Sequence, residues 1–273
     1  MITPDKASIE SIGAKHAKCV AYSGDRILCR VLGNLKMLVS SWDEGISPHL
    51  AFDGYWESWV TAVVWSTIRP GMYVVNVGAN VGYYTLLASR IVGPEGRVDA
   101  FEPNPEMAQL LRSNIALNGM TETTKVFECA VAEKAGVVII RAERSAPGGG
   151  SICRKDEGGH FNIVKGVPAV TLTEHCDRRP DVIICDAEGA EGLVLAGAEE
   201  MIRRTVTGPT LIMEWSASRQ EAPNEAVDRL LSLGYRVSEI NDMGGLSPIK
   251  PEQLRTLDHD VMIYAKRHPG GAP

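Results

Sequence analysis

Carboxylates gather where apolar segments of this chain stop. "DVIICDAEGAE" ends an apolar run in Asp186 and follows it with Glu188 and Glu191, and "TLIMEW" places Glu214 near its close. Such groups can take a proton from a hydroxyl, hold a polyol by accepting its hydrogen bonds, or chelate a hard divalent cation. An acid in the first turn of a helix also favours the helix N-terminus, and that is the main role expected of Glu191. His160 and His175 qualify as bases by their chemistry. A second kind of chemistry lies in "VNVGANVGYYTLLAS", residues 75–89, where Gly78 and Gly82 flank Asn80 between an apolar run and a helix-like run. Glycine turns of this type admit a nucleotide, and Glu102, on the next apolar run, is placed to accept hydrogen bonds from ribose hydroxyls. A dinucleotide fingerprint requires glycine at the third and sixth positions of the turn, and here Asn80 and Tyr83 occupy them. The backbone is more crowded than a pyrophosphate needs, and no GxxxxGK[ST] phosphate loop is present.

These residues need strands and helices to hold them. Up to about residue 60 the chain reads as a small β-rich extension, with "CVAY" and "RILCRVL" flanking the turn residues Ser23, Gly24 and Asp25. "YWESWVTAVVWSTI" has helical spacing and stops before Pro70 and Gly71. From residue 72 strands and helices alternate: "MYVVNV", "YYTLLASRIV", "RVDAFE", a helix capped by Asn104 and opened by Pro105, then "KVFECAV". "GVVIIRAER" is strand-like, and "SAPGGGSICRKDEGGH" reads as an irregular, glycine-rich excursion. The excursion is long for a connection and is the element expected to select a ligand. The alternation resumes at "DVIICD" and ends with "YRVSEI" and "DVMIYAKR", two strands with no obvious helix between them, read as an antiparallel edge hairpin. This pattern specifies an α/β architecture, a doubly wound, mostly parallel sheet covered on both faces. The expected divisions are an N-terminal cap over 1–60, a main domain over 61–267 and a tail over 268–273.

Composition narrows the partners. The 273 residues carry a formal net charge of -6, so no global field favours nucleic acid or an anionic membrane. Six cysteines form no CxxC pair, which disfavours a zinc site or disulfide framework and suits a reducing compartment. No segment approaches membrane-spanning length and the N-terminus lacks an apolar signal region, so a cytoplasmic location is expected.

Taken together, "VNVGANVGYYTLLAS", "FEPNP", "SNIALNG", "DVIICDAEGAEGLVLAGAEEMI" and "PTLIMEWS" resemble, collinearly, the FkbM-type family of S-adenosylmethionine-dependent methyltransferases. The resemblance implies a class I, Rossmann-like methyltransferase fold with a seven-stranded sheet whose last strand is antiparallel. It implies methyl transfer from S-adenosyl-L-methionine, usually to a hydroxyl of a natural product or sugar, with a nitrogen acceptor as the alternative. The expected partner is a small-molecule acceptor, without nucleic acid or membrane, and a homodimer is the assembly considered. Gly78, Asn80 and Gly82 fall on the cofactor loop and Glu102 on the ribose-binding acid, with Asn76, Pro103, Ala130 and Asp186 beside them. Trp56, Glu57, Ser151 and Glu214 are the expected acceptor contacts. Proton removal falls to Asp186, Glu188, Glu214, His175 or His160, and no metal is assigned. Asn76 departs from the family, which commonly has Asp there. Asn keeps an acceptor oxygen and loses the charge. A nicotinamide-dependent oxidoreductase would need a third glycine and a Tyr-Lys type of pair, neither of which is seen. A cofactor-binding module without catalysis draws support from Asn76 alone.

Overall fold

The computed structural model describes residues 3–143, 145–152 and 163–267. The chain opens with α1 (Lys6–His16), a helix of about three turns whose low apolar content leaves no periodic signal in the sequence; the Asp5 side chain caps it by accepting from the Ser8 N–H. A meander of β1 (Lys18–Ser23), β2 (Arg26–Val31) and β3 (Leu35–Ser40) follows, with the turn at Gly24 where the glycine takes φ +57°. Short α2 (Ile46–Phe52) and α3 (Ser58–Thr67) lead to β4 (Tyr73–Val77), α4 (Tyr83–Val92), β5 (Arg97–Phe101), α5 (Pro105–Leu117) and β6 (Thr124–Phe127). Asn104 caps α5 as its sequence suggests, accepting from the Glu106 N–H.

The third expected strand is divided. Thr124–Phe127 joins the main sheet, whereas β7 (Ala130–Val131) leaves it for a second, four-stranded sheet. That sheet contains β8 (Gly136–Glu143), β9 (Ala146–Ile152) and β10 (Ile163–Val170), in the order β7-β10-β8-β9. The glycine-rich segment is therefore not irregular at its start: Ile152 and Ser151 pair with Ile140 and Arg141 in an antiparallel ladder. Ladder pairing with a β-branched partner strand outweighs the poor strand propensity of three glycines. His160 and the remainder of that excursion lie outside the described residues, as does the 268–273 tail.

After α6 (Leu172–His175), the alternation continues through β11 (Val182–Cys185), α7 (Glu191–Arg203), β12 (Thr210–Trp215), α8 (Pro223–Ser232) and β13 (Tyr235–Ile240). A three-residue β14 (Leu246–Pro248) and a one-turn-and-a-half α9 (Pro251–Thr256) separate β13 from β15 (Val261–Arg267), so the closing pair is not a simple hairpin. The main sheet runs β14-β13-β15-β12-β11-β4-β5-β6. It holds the seven strands expected plus β14 at the edge, and β15 inserts antiparallel between β12 and β13. Strand order reverses between β4 and β11, and ligands of such sheets bind at the carboxyl ends beside that reversal.

Strand alternation divides the core. Tyr73, Val75 and Val77 of β4 face an apolar layer with α7 and α8, while Val74 faces the layer built by α3, α4, α5 and the N-terminal meander. The N-terminal segment thus shares one apolar cluster with the main sheet: Ile9, Val31 and Met37 pack with Leu86, Leu87 and Leu111. Cysteines 19, 29, 129, 176 and 185 are free thiols. No helix among the described residues is long and apolar enough to cross a membrane.

Candidate active site

Strand register builds the acidic face. Cys185 lies opposite Val77 on one side and Met213 on the other, so the next residues, Asp186 and Glu214, stand side by side at the carboxyl edge. Their place in the alternation turns both toward the α3–α4 layer. Carboxylate oxygens of Asp186, Glu191 and Glu214 lie within 4.8 Å of one another. Burial drives the Asp186 and Glu214 carboxyls well above the usual carboxylate range; the nearby acids Glu57 and Glu191 add to the shift at Asp186, and Asp186 adds to it at Glu214. Such a cluster of acids favours keeping a proton at neutral pH. Asp186 Oδ1 is sealed from solvent and has no hydrogen-bond partner among the described residues.

Glu191 resembles a third metal ligand in position only. Its carboxylate accepts from the N–H groups of Ala187 (2.8 Å) and Gly189 (3.1 Å) and from Gln220 Nε2 (2.5 Å). It clamps the loop after β11 to the start of α7, the helix-start role its sequence position suggests, and its lone pairs are spent. Arg219 occupies the rim: it forms ion pairs with Glu188, with Glu214 at 3.2 Å and with Asp260 at 3.1 Å. The sequence offered no periodic signal for Arg219, which follows β12 in "SASRQ".

Two cavities meet at Asp186. One, of about 570 Å³, is lined by Gly78, Glu102, Pro103, Ala130, Ile140 and Asp186 among others. The second sheet roofs it, since Ile140, Ala142 and Ile152 all face it. The other cavity, of about 840 Å³, has a wall from the N-terminal segment (Asp43, Ile46, Trp56) and a wall from Asn80, Tyr84 and Asp186. Glu102 is 6 % exposed, and its two oxygens accept from the Asn80 N–H (2.7 Å) and the Asn104 N–H (2.8 Å). Burial outweighs these bonds and pushes its pKa up to about 7. Each oxygen keeps a second lone pair for a ligand hydroxyl.

Residues 76–237 match the model of the methyltransferase FkbM domain. This chain belongs to that family. Among curated proteins, methyltransferase sdnD of Sordaria araneosa is 25% identical over 158 residues, 47% of this chain and 61% of that protein. The 31-O-demethyl-FK506 methyltransferase FkbM of Streptomyces tacrolimicus is 40% identical over 70 residues, 26% of each chain. These matches therefore cover less than two thirds of either relative. Among solved structures, the methyltransferase FkbM of Methylobacillus flagellatus KT aligns at 16% identity and a TM-score of 0.46, over 77% of this chain and 54% of that one. S-adenosylmethionine is the cofactor of the FkbM methyltransferases.

Within this FkbM domain the residues expected at the cofactor separate into two groups. Gly78, Glu102, Pro103, Ala130 and Asp186 share the first cavity, and Asn80 lines the second. Asn76 does not reach either lining: it sits on the even face of β4, and its Nδ2 donates to Thr85 Oγ1 of α4 at 2.8 Å. Gly82 is a packing residue as well, because a Cβ there would overlap Leu111 of α5. Gly78 takes φ +73°, and a Cβ there would overlap the Asp186 carbonyl oxygen. Its glycine is required by the close approach of β4 and β11.

The acceptor and base candidates divide similarly. Trp56 and Glu188 line the larger cavity, and Ser151 lines a neighbouring recess with Glu188 and Arg219. Glu57, held at φ +38°, accepts from Tyr84 Oη at 2.7 Å and burial raises its pKa. Tyr84, in "GYYTLL", carries no signal of this in the sequence, because its position reads as helix core. His175 is elsewhere. It packs edge-on against Phe101 and Phe127 at ring separations of 4.8 and 4.2 Å, with Nε2 3.9 Å from Asp99. Burial lowers its pKa, and Asp99 is itself paired to Arg97 at 2.7 Å. His175, expected as a candidate base, lines neither of the cavities that meet at Asp186 and sits in an aromatic packing environment instead.

Proposed function

We propose that this FkbM domain is an O-methyltransferase that moves the methyl group of S-adenosylmethionine to a hydroxyl of a small natural-product or sugar-like acceptor. The observation that carries it is Asp186 Oδ1, buried and unpartnered where the two cavities meet. A buried polar atom without a partner costs free energy unless a ligand supplies the missing hydrogen bond. The cleft chemistry suits the cofactor: a mostly apolar cavity offers Glu102 to ribose hydroxyls, with Pro103 and Ala130 as apolar walls. When bound, S-adenosylmethionine supplies an already activated methyl group. The chain's own work is then to align the acceptor oxygen and remove its proton.

Asp186, with Glu214 beside it, is the proposed base, because a carboxyl raised toward neutrality accepts a hydroxyl proton most effectively. Glu57 and Tyr84 orient the acceptor from the α3–α4 side, and Trp56 closes over it. Glu188 and Ser151 border the acceptor end near Arg219. The hydroxyl assignment draws support from the name of the Streptomyces tacrolimicus relative, which specifies an O-demethylated substrate. An amine acceptor is a second reading, favoured by the acids Asp186 and Glu188 on the larger cavity and by Glu57 and Glu214 on a separate recess.

Calorimetric titration with S-adenosylhomocysteine and with NAD tests the cofactor, and only the former is expected to bind. Radiolabelled methyl transfer from S-adenosylmethionine to a panel of hydroxylated and aminated small molecules tests the acceptor. Binding of NAD alone would overturn the proposal, and label entering amines only would replace O- by N-methylation.

A further inference from the structure

Asn114 of α5 is completely buried and touches three backbone groups on two different segments. Its Oδ1 accepts from the Leu38 N–H at 2.6 Å, and its Nδ2 donates to the Leu38 carbonyl at 3.0 Å. These are the two bonds a neighbouring strand would make, so the side-chain amide stands in for a peptide at the outer edge of β3, whose strand partner is β2. The second hydrogen of Nδ2 goes to the Val81 carbonyl at 2.8 Å, in the turn between β4 and α4. Both donors are spent, one on each segment. Asn114 lines neither of the two cavities that meet at Asp186, yet the turn it holds borders both through Gly78, and the chain just beyond β3 borders the larger through Asp43.

On one side, β3 leads within three residues to Asp43 and then through α2, which starts at Ile46, to Trp56; these three form the N-terminal wall of the larger cavity. On the other, Val81 adjoins Asn80, whose N–H is held by Glu102. A shift of the turn must carry β3 with it or leave a buried carbonyl without its donor, which the interior penalises. Asn118, one turn further along α5, provides the contrast. It bonds Lys36 N–H at 3.0 Å and Lys36 carbonyl at 2.7 Å, and its Nδ2 also reaches the Asn114 carbonyl at 2.8 Å. It fastens the same strand to the same helix without contact to the turn.

We propose that Asn114 is a positioning residue that couples occupation of the Glu102 cavity to the placement of the Asp43–Trp56 wall. This rests on reading that cavity as the S-adenosylmethionine site. By reciprocity, a wall docked on Asn114 favours the turn geometry that receives the cofactor.

Hydrogen exchange of the whole chain, with and without saturating S-adenosylhomocysteine, tests the coupling. In the wild-type protein the ligand is expected to slow exchange at Leu38 and across 43–47 by about ten-fold. Asn114→Ala is expected to lose that remote slowing and bind S-adenosylhomocysteine about ten-fold more weakly. Asn118→Ala is expected to exchange faster at Lys36 in the free state, yet keep the ligand-induced slowing and bind within about two-fold of wild type. Identical behaviour of the two variants overturns the inference. If Asn114→Ala does not fold, the wild-type comparison decides, and no ligand-induced change at Leu38 and 43–47 overturns it. A wild-type protein that binds no S-adenosylhomocysteine removes the cofactor reading and the coupling together, whereas binding without remote slowing removes the coupling alone.

Discussion

The Asn80 N–H donates to Glu102 Oε2 at 2.7 Å, which fixes the acid after β5 to the turn after β4. The Glu102 pKa of about 7 has two consequences. Its folded-state value lies above its unfolded value, so the native state binds the extra proton between about pH 4.5 and 7. Stability of the free protein therefore falls as pH rises through that window, by up to about 3 kcal/mol from this group. Ribose hydroxyls are best accepted by the ionised form, so S-adenosylhomocysteine affinity rises over the same window. Glu102→Gln is expected to flatten part of the melting-temperature profile and cut affinity about ten-fold or more at pH 8. An unchanged binding isotherm for that variant would exclude Glu102 from the cofactor.

Asp186→Asn retains the shape of the side chain and removes the proposed base. Methyl transfer to the acceptor found in the panel should drop by about 10²- to 10⁴-fold. Melting temperature should hold or rise, since a carboxyl strained by burial has been replaced by a neutral amide. Loss of activity through unfolding would show as a lower melting temperature, and full activity would move the base elsewhere.

Gly78→Ala should destabilise the fold by more than about 3 kcal/mol, because a positive φ and an overlap with the Asp186 carbonyl act at once. Denaturant unfolding measures it. A loss below about 1 kcal/mol would mean that β4 and β11 can separate at no great cost.

His175→Phe preserves the ring packing against Phe101 and Phe127 and abolishes any proton chemistry. Turnover is expected to stay within about two-fold of wild type across pH 6 to 9. A hundred-fold loss with unchanged melting temperature would restore His175 as a base.

Periodicity made the main sheet legible. The apolar runs around Val75, Ile184 and Ile212 have one partner solution in a parallel sheet, and Asn104-Pro105 is a local signal needing no tertiary context. Gly78 and Glu102 were legible for the same reason, since a turn and the end of the next strand are short-range features. Asn76 was placed correctly on its strand, but its bond to Thr85 of α4 had no signal, because a strand–helix partner is not written in any local pattern. His175 failed similarly: the chemistry of a histidine does not reveal that two phenylalanines from β5 and β6 enclose it. The strand β9 needed its ladder with β8 to exist. Arg219 and Asn114 act only through contacts between distant segments, and single-sequence patterns carry no trace of those.

The insertion of β15 between β12 and β13 has a consequence for the order of assembly. β13 leaves the ribosome well before its in-sheet neighbour, and it cannot zip onto β12 because that seat belongs to the later strand. A chain that stops short of Val261 leaves the β13–β14 pair without its ladder to the main sheet, and the edge of β12 bare beside Glu214. The acidic corner is therefore among the last parts of the molecule to acquire its final shape during synthesis. A nascent chain arrested before that strand emerges should expose the corner to proteolysis while the β4–β5–β6 half is already protected.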